Sequence, residues 1–188
     1  MDALDIVGSI IGLVYLFLEY RASVWLWLAG IVMPAVYVVV FYSAGLYADM
    51  ALNIYLIGAS IYGAVCWLRD RSVSDGKIKI GFMPSGMYFW ASFLSVMLTM
   101  VIYLLLQRFT DSTVPFADGL TTALSIVAMW MLARKWAEQW LAWFLVDIVS
   151  SVLYFIKDLP FTSGLYLLYS AIAVAGYRKW RTEARCGQ

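Results

Sequence analysis

The stretch Ala133–Ile156, ARKWAEQWLAWFLVDIVSSVLYFI, decides the fold. It opens on the basic pair Arg134 and Lys135 and continues as a largely apolar run from Ala137 to Ile156. A hydrocarbon core about 30 Å thick is crossed by about 20 helical residues, so this run reads as a transmembrane helix. Near its middle stands one carboxylate, Asp147. The composition of the whole chain agrees: of 188 residues, 64% are hydrophobic and 13% charged, with mean hydropathy +0.82. Soluble domains run nearer to about half apolar and about a quarter charged. A chain of this size could not hide so much apolar surface from water. It is therefore solvated by lipid, with length for about seven short-looped crossings and no soluble domain.

Six further runs flank the first. They span about Ala3 to Glu19, Val24 to Tyr42, Leu46 to Leu68, Met87 to Leu106, about Phe116 to Ala133, and Thr162 to Tyr177. The first lacks the basic start and the clear cleavage site of a secretory signal, so it reads as a retained helix. A polar stretch, Arg69 to Gly81, and the segment Gln107 to Pro115 read as loops, and the tail from Arg178 as short and basic. Seven crossings sort the cations. Arg21, Arg69, Arg71, Lys77, Lys79, Arg134, Lys135, Arg178, Lys179, Arg181 and Arg185 fall on one side, and Arg108 and Lys157 on the other. Cytoplasmic loops carry the Lys/Arg excess, which puts the N-terminus outside and the C-terminus inside.

A shift of 113 residues lays the first three runs on the last three without a gap. Asp5 falls on Asp118, Val14 on Val127, Arg21 on Arg134, Trp27 on Trp140, Leu28 on Leu141, Leu46 on Leu159, Leu52 on Leu165, Gly63 on Gly176 and Trp67 on Trp180. Leu and Val matches come cheaply in this composition, whereas the Asp, Arg, Gly and two Trp matches do not. The expected architecture is a single all-α membrane domain, residues 1–188. It holds repeat 1 at about 3–68, a linker helix at about 87–106 and repeat 2 at about 116–180. An odd linker makes the repeats parallel, an arrangement that would place a substrate site between repeats near mid-membrane and let one rock against the other.

The candidate chemistry is sparse. A carboxylate at a helix centre costs about 2.5–3.5 kcal/mol on insertion scales, and no Lys or Arg lies at the depth of Asp147. A cationic ligand or a proton would neutralise it; a neutral acid hydrogen-bonded between helices is the structural alternative. Trp140, Trp143, Asp147, Ser150 and Tyr154 recur at three- and four-residue steps, hence on one helix face. Aromatic faces beside a carboxylate suit a flat organic cation, although Trp140 also fits an interfacial aromatic belt. The matching positions on the second run are Trp27, Gly30, Pro34, Tyr37 and Phe41, which suggests an asymmetric cavity or, at Pro34, an ordinary kink. Asp49 and Asn53 share a face of the third run. Asp49 lies near the outer end, and Asn53, whose counterpart is Tyr166, offers both donor and acceptor. An interhelical hydrogen bond explains Asn53 equally well.

Several classes are excluded. A formal charge of +1 gives no reason for a nucleic-acid partner. The absence of histidine removes the commonest metal ligand and the commonest general base. Cys66 and Cys186 are too differently placed for a disulfide or metal site. No cofactor, phosphate-cradling loop or nucleophile–base pair is expected, so an enzyme is not expected.

Leu46-Tyr47-Ala48-Asp49, Leu52-Asn53, Tyr55-Leu56, Tyr62-Gly63 and Trp67 together resemble the bacterial nicotinamide riboside transporters of the PnuC type. Ala133-Arg134-Lys135, Glu138, Trp140, Trp143, Leu153-Tyr154, Gly176-Tyr177 and Trp180 extend the resemblance over nearly the whole chain. It implies a three-plus-one-plus-three fold related to the SWEET sugar transporters and a homotrimer in the inner membrane. It also implies facilitated diffusion, with trapping by a separate cytoplasmic kinase. Trp140 and Trp143 match the family's paired tryptophans. Asn53 stands where Gln is common, and Asp147 where Asn is common among nicotinamide riboside carriers; the family also contains thiamine carriers, and Asp147 is compatible with either cation. The substrate contacts expected are Trp140, Trp143, Asp147, Asn53, Tyr37, Tyr154, Tyr166 and Asp49, for a small cationic vitamin or nucleoside. The reading of another class is a non-transporting membrane scaffold.

Overall fold

A computed structural model describes the backbone of residues 3–43, 47–73, 78–110, 114–156 and 158–186; the side chains of 3–9, 40, 41, 43, 47–49, 51, 52 and 71–73 lie outside the described residues. Seven helices appear among the described residues: α1 (Ala3–Tyr20), α2 (Trp25–Ser43), α3 (Tyr47–Val73), α4 (Ser85–Phe109), α5 (Pro115–Ala133), α6 (Gln139–Ile156) and α7 (Pro160–Cys186). Lipid offers no hydrogen bonds to the backbone, and a helix satisfies its peptide groups internally. Three of the helices, α4, α5 and α6, are long and apolar enough to cross a membrane among the described residues. Their hydroxyls follow the same logic: Ser95 donates to Ala91 O, Thr99 to Ser95 O, Thr122 to Asp118 O and Ser125 to Thr121 O, each back-bonded within its own helix.

By packing the chain divides into two units, Met1–Lys79 and Ile80–Gln188. In the first, α2 lies along α3 and α1 touches α2. In the second, α6 lies along α7, α4 along α5, and α5 against α6. The fourth helix thus packs with the three that follow it.

The turns into α2 and α6 are built alike. Ala22 adopts φ 50° and Lys135 φ 60°, the left-handed conformation that ends helices and that side chains adopt at a cost. Ala22 N–H donates to Glu19 O (2.9 Å) and Ser23 N–H to Leu18 O (2.9 Å). Lys135 N–H donates to Leu132 O (2.9 Å) and Trp136 N–H to Met131 O (3.1 Å). Every donor and acceptor of the second set stands 113 positions after its counterpart.

The helix pairs are also joined alike. Trp27 and Trp67 meet edge-on at 5.5 Å, and Trp140 and Trp180 at 5.9 Å; all four are buried. A Cβ on Gly63 would enter the Trp27 ring, and one on Gly176 would stand 2.5 Å from Trp140. Glycine lets the facing helix come close enough for the indole to lie on its backbone. Serines add polar ties. Ser60 donates to Gly30 O across α2 and α3 (2.9 Å), and Ser151 and Ser163 exchange hydrogen bonds with each other's carbonyls across α6 and α7 (3.0 and 2.9 Å).

The expected basic tail and the expected polar loop after α3 contain more order than their polarity suggests. Helix α7 continues through the basic tail because Trp180 and Ala184, four residues apart, bury one face, while Lys179 and Glu183 pair at 3.6 Å. Helix α3 likewise runs past Leu68 to Val73. The end of the expected polar loop is tied to the α5–α6 turn. Gly81 N–H donates to Lys135 O and Ala137 N–H to Gly81 O, both 3.0 Å. The buried Glu138 accepts Met83 N–H and the Tyr88 hydroxyl, both at 2.9 Å.

Gly176→Ala forces its Cβ onto Trp140, and overpacking of this kind costs about 1–3 kcal/mol. Its melting temperature in detergent should fall by several degrees. Combining it with Trp140→Leu should cost less than the two single changes together. Additive losses would show that the two residues do not share a contact.

Candidate functional site

The site is built on α6 and α7 of the second unit. Asp147 is buried, at 6% exposure, and Ser150 beside it is buried too. No salt bridge to Asp147 occurs among the described residues. Burying an ionised carboxylate without a partner is expensive, so the position asks for a cation or a proton. From α7, Tyr166 and Tyr169 lie within electrostatic reach of Asp147. Tyr154 on α6 stacks on Tyr166 with centroids 5.2 Å apart and planes 17° apart, and Tyr166 meets Tyr169 edge-on at 5.7 Å. Helical spacing accounts for the grouping: 147 and 154 are two turns apart, and 166 and 169 one turn apart. A carboxylate beside aromatic rings attracts a flat cation through charge and through the ring faces.

The structure brings together three of the expected contacts, Asp147, Tyr154 and Tyr166. Trp140 is fully buried in the α6–α7 packing, against Gly176 and Trp180. Trp143 is partly exposed, yet its Nε1 is buried without a hydrogen-bond partner among the described residues. Asn53 is buried on α3 and Tyr37 is exposed on α2, both within the first unit. Asp49 lies in α3, but its side chain is outside the described residues. Sequence reasoning missed two residues of the second unit. Tyr169 stands one turn after Tyr166 and could have been found from that spacing. Gln139 stands one turn before Trp143, fully buried at the start of α6. No cluster of metal-ligating side chains occurs among the described residues.

A family model described as nicotinamide mononucleotide transporter matches residues 2–182. The nicotinamide riboside transporter PnuC of Escherichia coli is 25% identical, over 97% of this chain and 86% of its own length. The riboflavin/roseoflavin transporter RibM of Streptomyces davaonensis is 31% identical, over 96% of this chain and 85% of its own. A crystal structure of the vitamin B3 transporter PnuC superimposes with TM-score 0.72 at 23% identity, covering 97% of this chain and 82% of that one, and so shares the fold. With apolar membrane-length helices and a family match spanning nearly every residue, this chain is a multi-pass membrane protein that belongs to the nicotinamide mononucleotide transporter family, the PnuC-type carriers.

Proposed function

We propose that the protein imports nicotinamide riboside across the bacterial inner membrane by facilitated diffusion. The observation that carries this reading is Asp147, buried with no salt bridge among the described residues and grouped with Tyr154, Tyr166 and Tyr169. The pyridinium ring supplies the missing charge and a flat face, and Trp143 extends the aromatic surface along α6. Tyr37, Asn53 and Asp49 are the first unit's proposed contacts, and Trp140 a proposed contact that also holds α6 to α7. The proposed architecture is seven crossings, N-terminus outside, as a parallel three-plus-one-plus-three repeat of one domain related to the SWEET carriers. The turns and the Gly–Trp contacts that recur 113 residues apart support that repeat. Alternating access then needs only rocking of one repeat. Assembly as a homotrimer and trapping of the cargo by a cytoplasmic kinase belong to the same proposal.

A second reading has its own support: RibM, the 31% relative, is named for riboflavin, which is uncharged. Thiamine, another flat cation, would satisfy Asp147 as the riboside does. Calorimetric titration of purified protein with all three separates them. With nicotinamide riboside as cargo, Asp147→Ala, which removes both the charge and the hydrogen-bonding arm, lowers its affinity by about tenfold or more and leaves the melting temperature near wild type. An unchanged affinity removes Asp147 from the site, and binding of riboflavin alone replaces the substrate. A scaffold would be stabilised by none of the three.

In proteoliposomes, uptake of the riboside should be indifferent to a proton ionophore; collapse of uptake would mean that Asp147 carries a coupled proton. The orientation is checked separately. Cys186, exposed at the end of α7, should react with an impermeant maleimide in inverted vesicles and not in intact cells, in a Cys66→Ser background.

A further inference from the structure

The side chain of Gln139 is fully buried, and neither its carbonyl oxygen nor its nitrogen has a hydrogen-bond partner among the described residues. An amide brings a donor and an acceptor into the interior, and each left unmet costs stability. Packing alone does not call for it. The counterpart 113 residues earlier is Leu26, also fully buried, which fills the same place at the start of α2 with no polar atom. Gln139 is a full turn from Trp143, whose Nε1 is also buried and unmet among the described residues, and Trp143 is a full turn from Asp147. Steps of four residues put all three on one helix face. Gln139 and Asp147 are thus about 12 Å apart along the axis, at about 1.5 Å per residue. A single-ring head group spans much of such a distance once both side chains reach toward it.

We infer that Gln139 reads an amide-type edge of the cargo, one that offers a donor and an acceptor side by side. This rests on the transport reading above and adds the rule by which that site would select. Gln139 pairs through both amide atoms with the carboxamide of a pyridine ring, Trp143 covers the ring, and Asp147 meets the positive end. A carboxylate in place of the carboxamide offers acceptors only and would set an oxygen against the Gln139 carbonyl. The amide is closed off from solvent here, so pairing takes place when the carrier opens to load.

The test is calorimetric titration of the full-length protein with nicotinamide riboside, nicotinic acid riboside and riboflavin, for wild type, Gln139→Leu and Gln139→Met. Wild type should prefer the amide riboside to the acid by about tenfold or more. Both variants should lose about tenfold or more in affinity for the amide riboside and most of that preference. Their ligand-free melting temperature should not fall, because the change installs the residue type that position 26 already carries. Unchanged affinity and preference in either folded variant overturns the inference and leaves the transport reading standing. If wild type binds only riboflavin, the cargo of the transport reading is replaced. The flavin's lactam edge also sets a donor beside an acceptor, so loss of flavin affinity in the variants upholds the role of Gln139 and no loss overturns it. If wild type binds none of the three, both readings fall together.

Discussion

A tryptophan ring laid on a glycine joins α2 to α3 in one unit and α6 to α7 in the other. Between helices in lipid there is little hydrophobic gain from association, because lipid tails are as apolar as the side chains. What remains is close van der Waals contact, and that needs one surface to recede. Gly63 recedes for Trp27, and Gly176 for Trp140. The second indole of each pair, Trp67 or Trp180, then meets the first edge-on, a geometry worth about 0.5–1.5 kcal/mol beyond burial. Because α6 is held to α7 in this way, Asp147 and Tyr154 stand beside Tyr166 and Tyr169. The grouping around Asp147 therefore depends on the contact of Trp140 with Gly176, about two helical turns away.

The two units use the same local frame for different ends. Where α2 carries Leu26, Gly30 and Pro34, α6 carries Gln139, Trp143 and Asp147. Each exchange replaces a small or apolar residue with a bulky or polar one, while the framing residues Trp27 and Trp140 stay alike. The turn before α6 is also clamped by Glu138 to the segment entering α4. Its counterpart at the turn before α2 is Trp25, which is exposed. Polar chemistry and a fixed turn are thus concentrated at the start of α6.

Much of this is legible in the amino-acid sequence. The helix runs are readable because a lipid crossing needs an unbroken apolar stretch of fixed length. The Asp147 stripe is readable because helical spacing fixes which residues share a face. The extent of α3 and α7 is less so, since polar residues after a crossing look like a loop until Trp180 and Ala184 are seen to bury one side. Trp140 illustrates the limit of a stripe. Periodicity places it with Trp143 and Asp147 but does not tell that its ring lies on Gly176.

Sequence by itself determined that the chain lives in lipid, that it is helical, which family it resembles, and that one carboxylate sits deep in a helix. Those follow from composition and local periodicity, which act over a few turns. Only the tertiary structure decided which rings surround that carboxylate, that Glu138 is consumed in tying Met83 and Tyr88, and that Gln139 is buried without a partner among the described residues. Whether a polar atom is satisfied depends on residues tens of positions away in the chain, and only packing brings those within hydrogen-bonding distance.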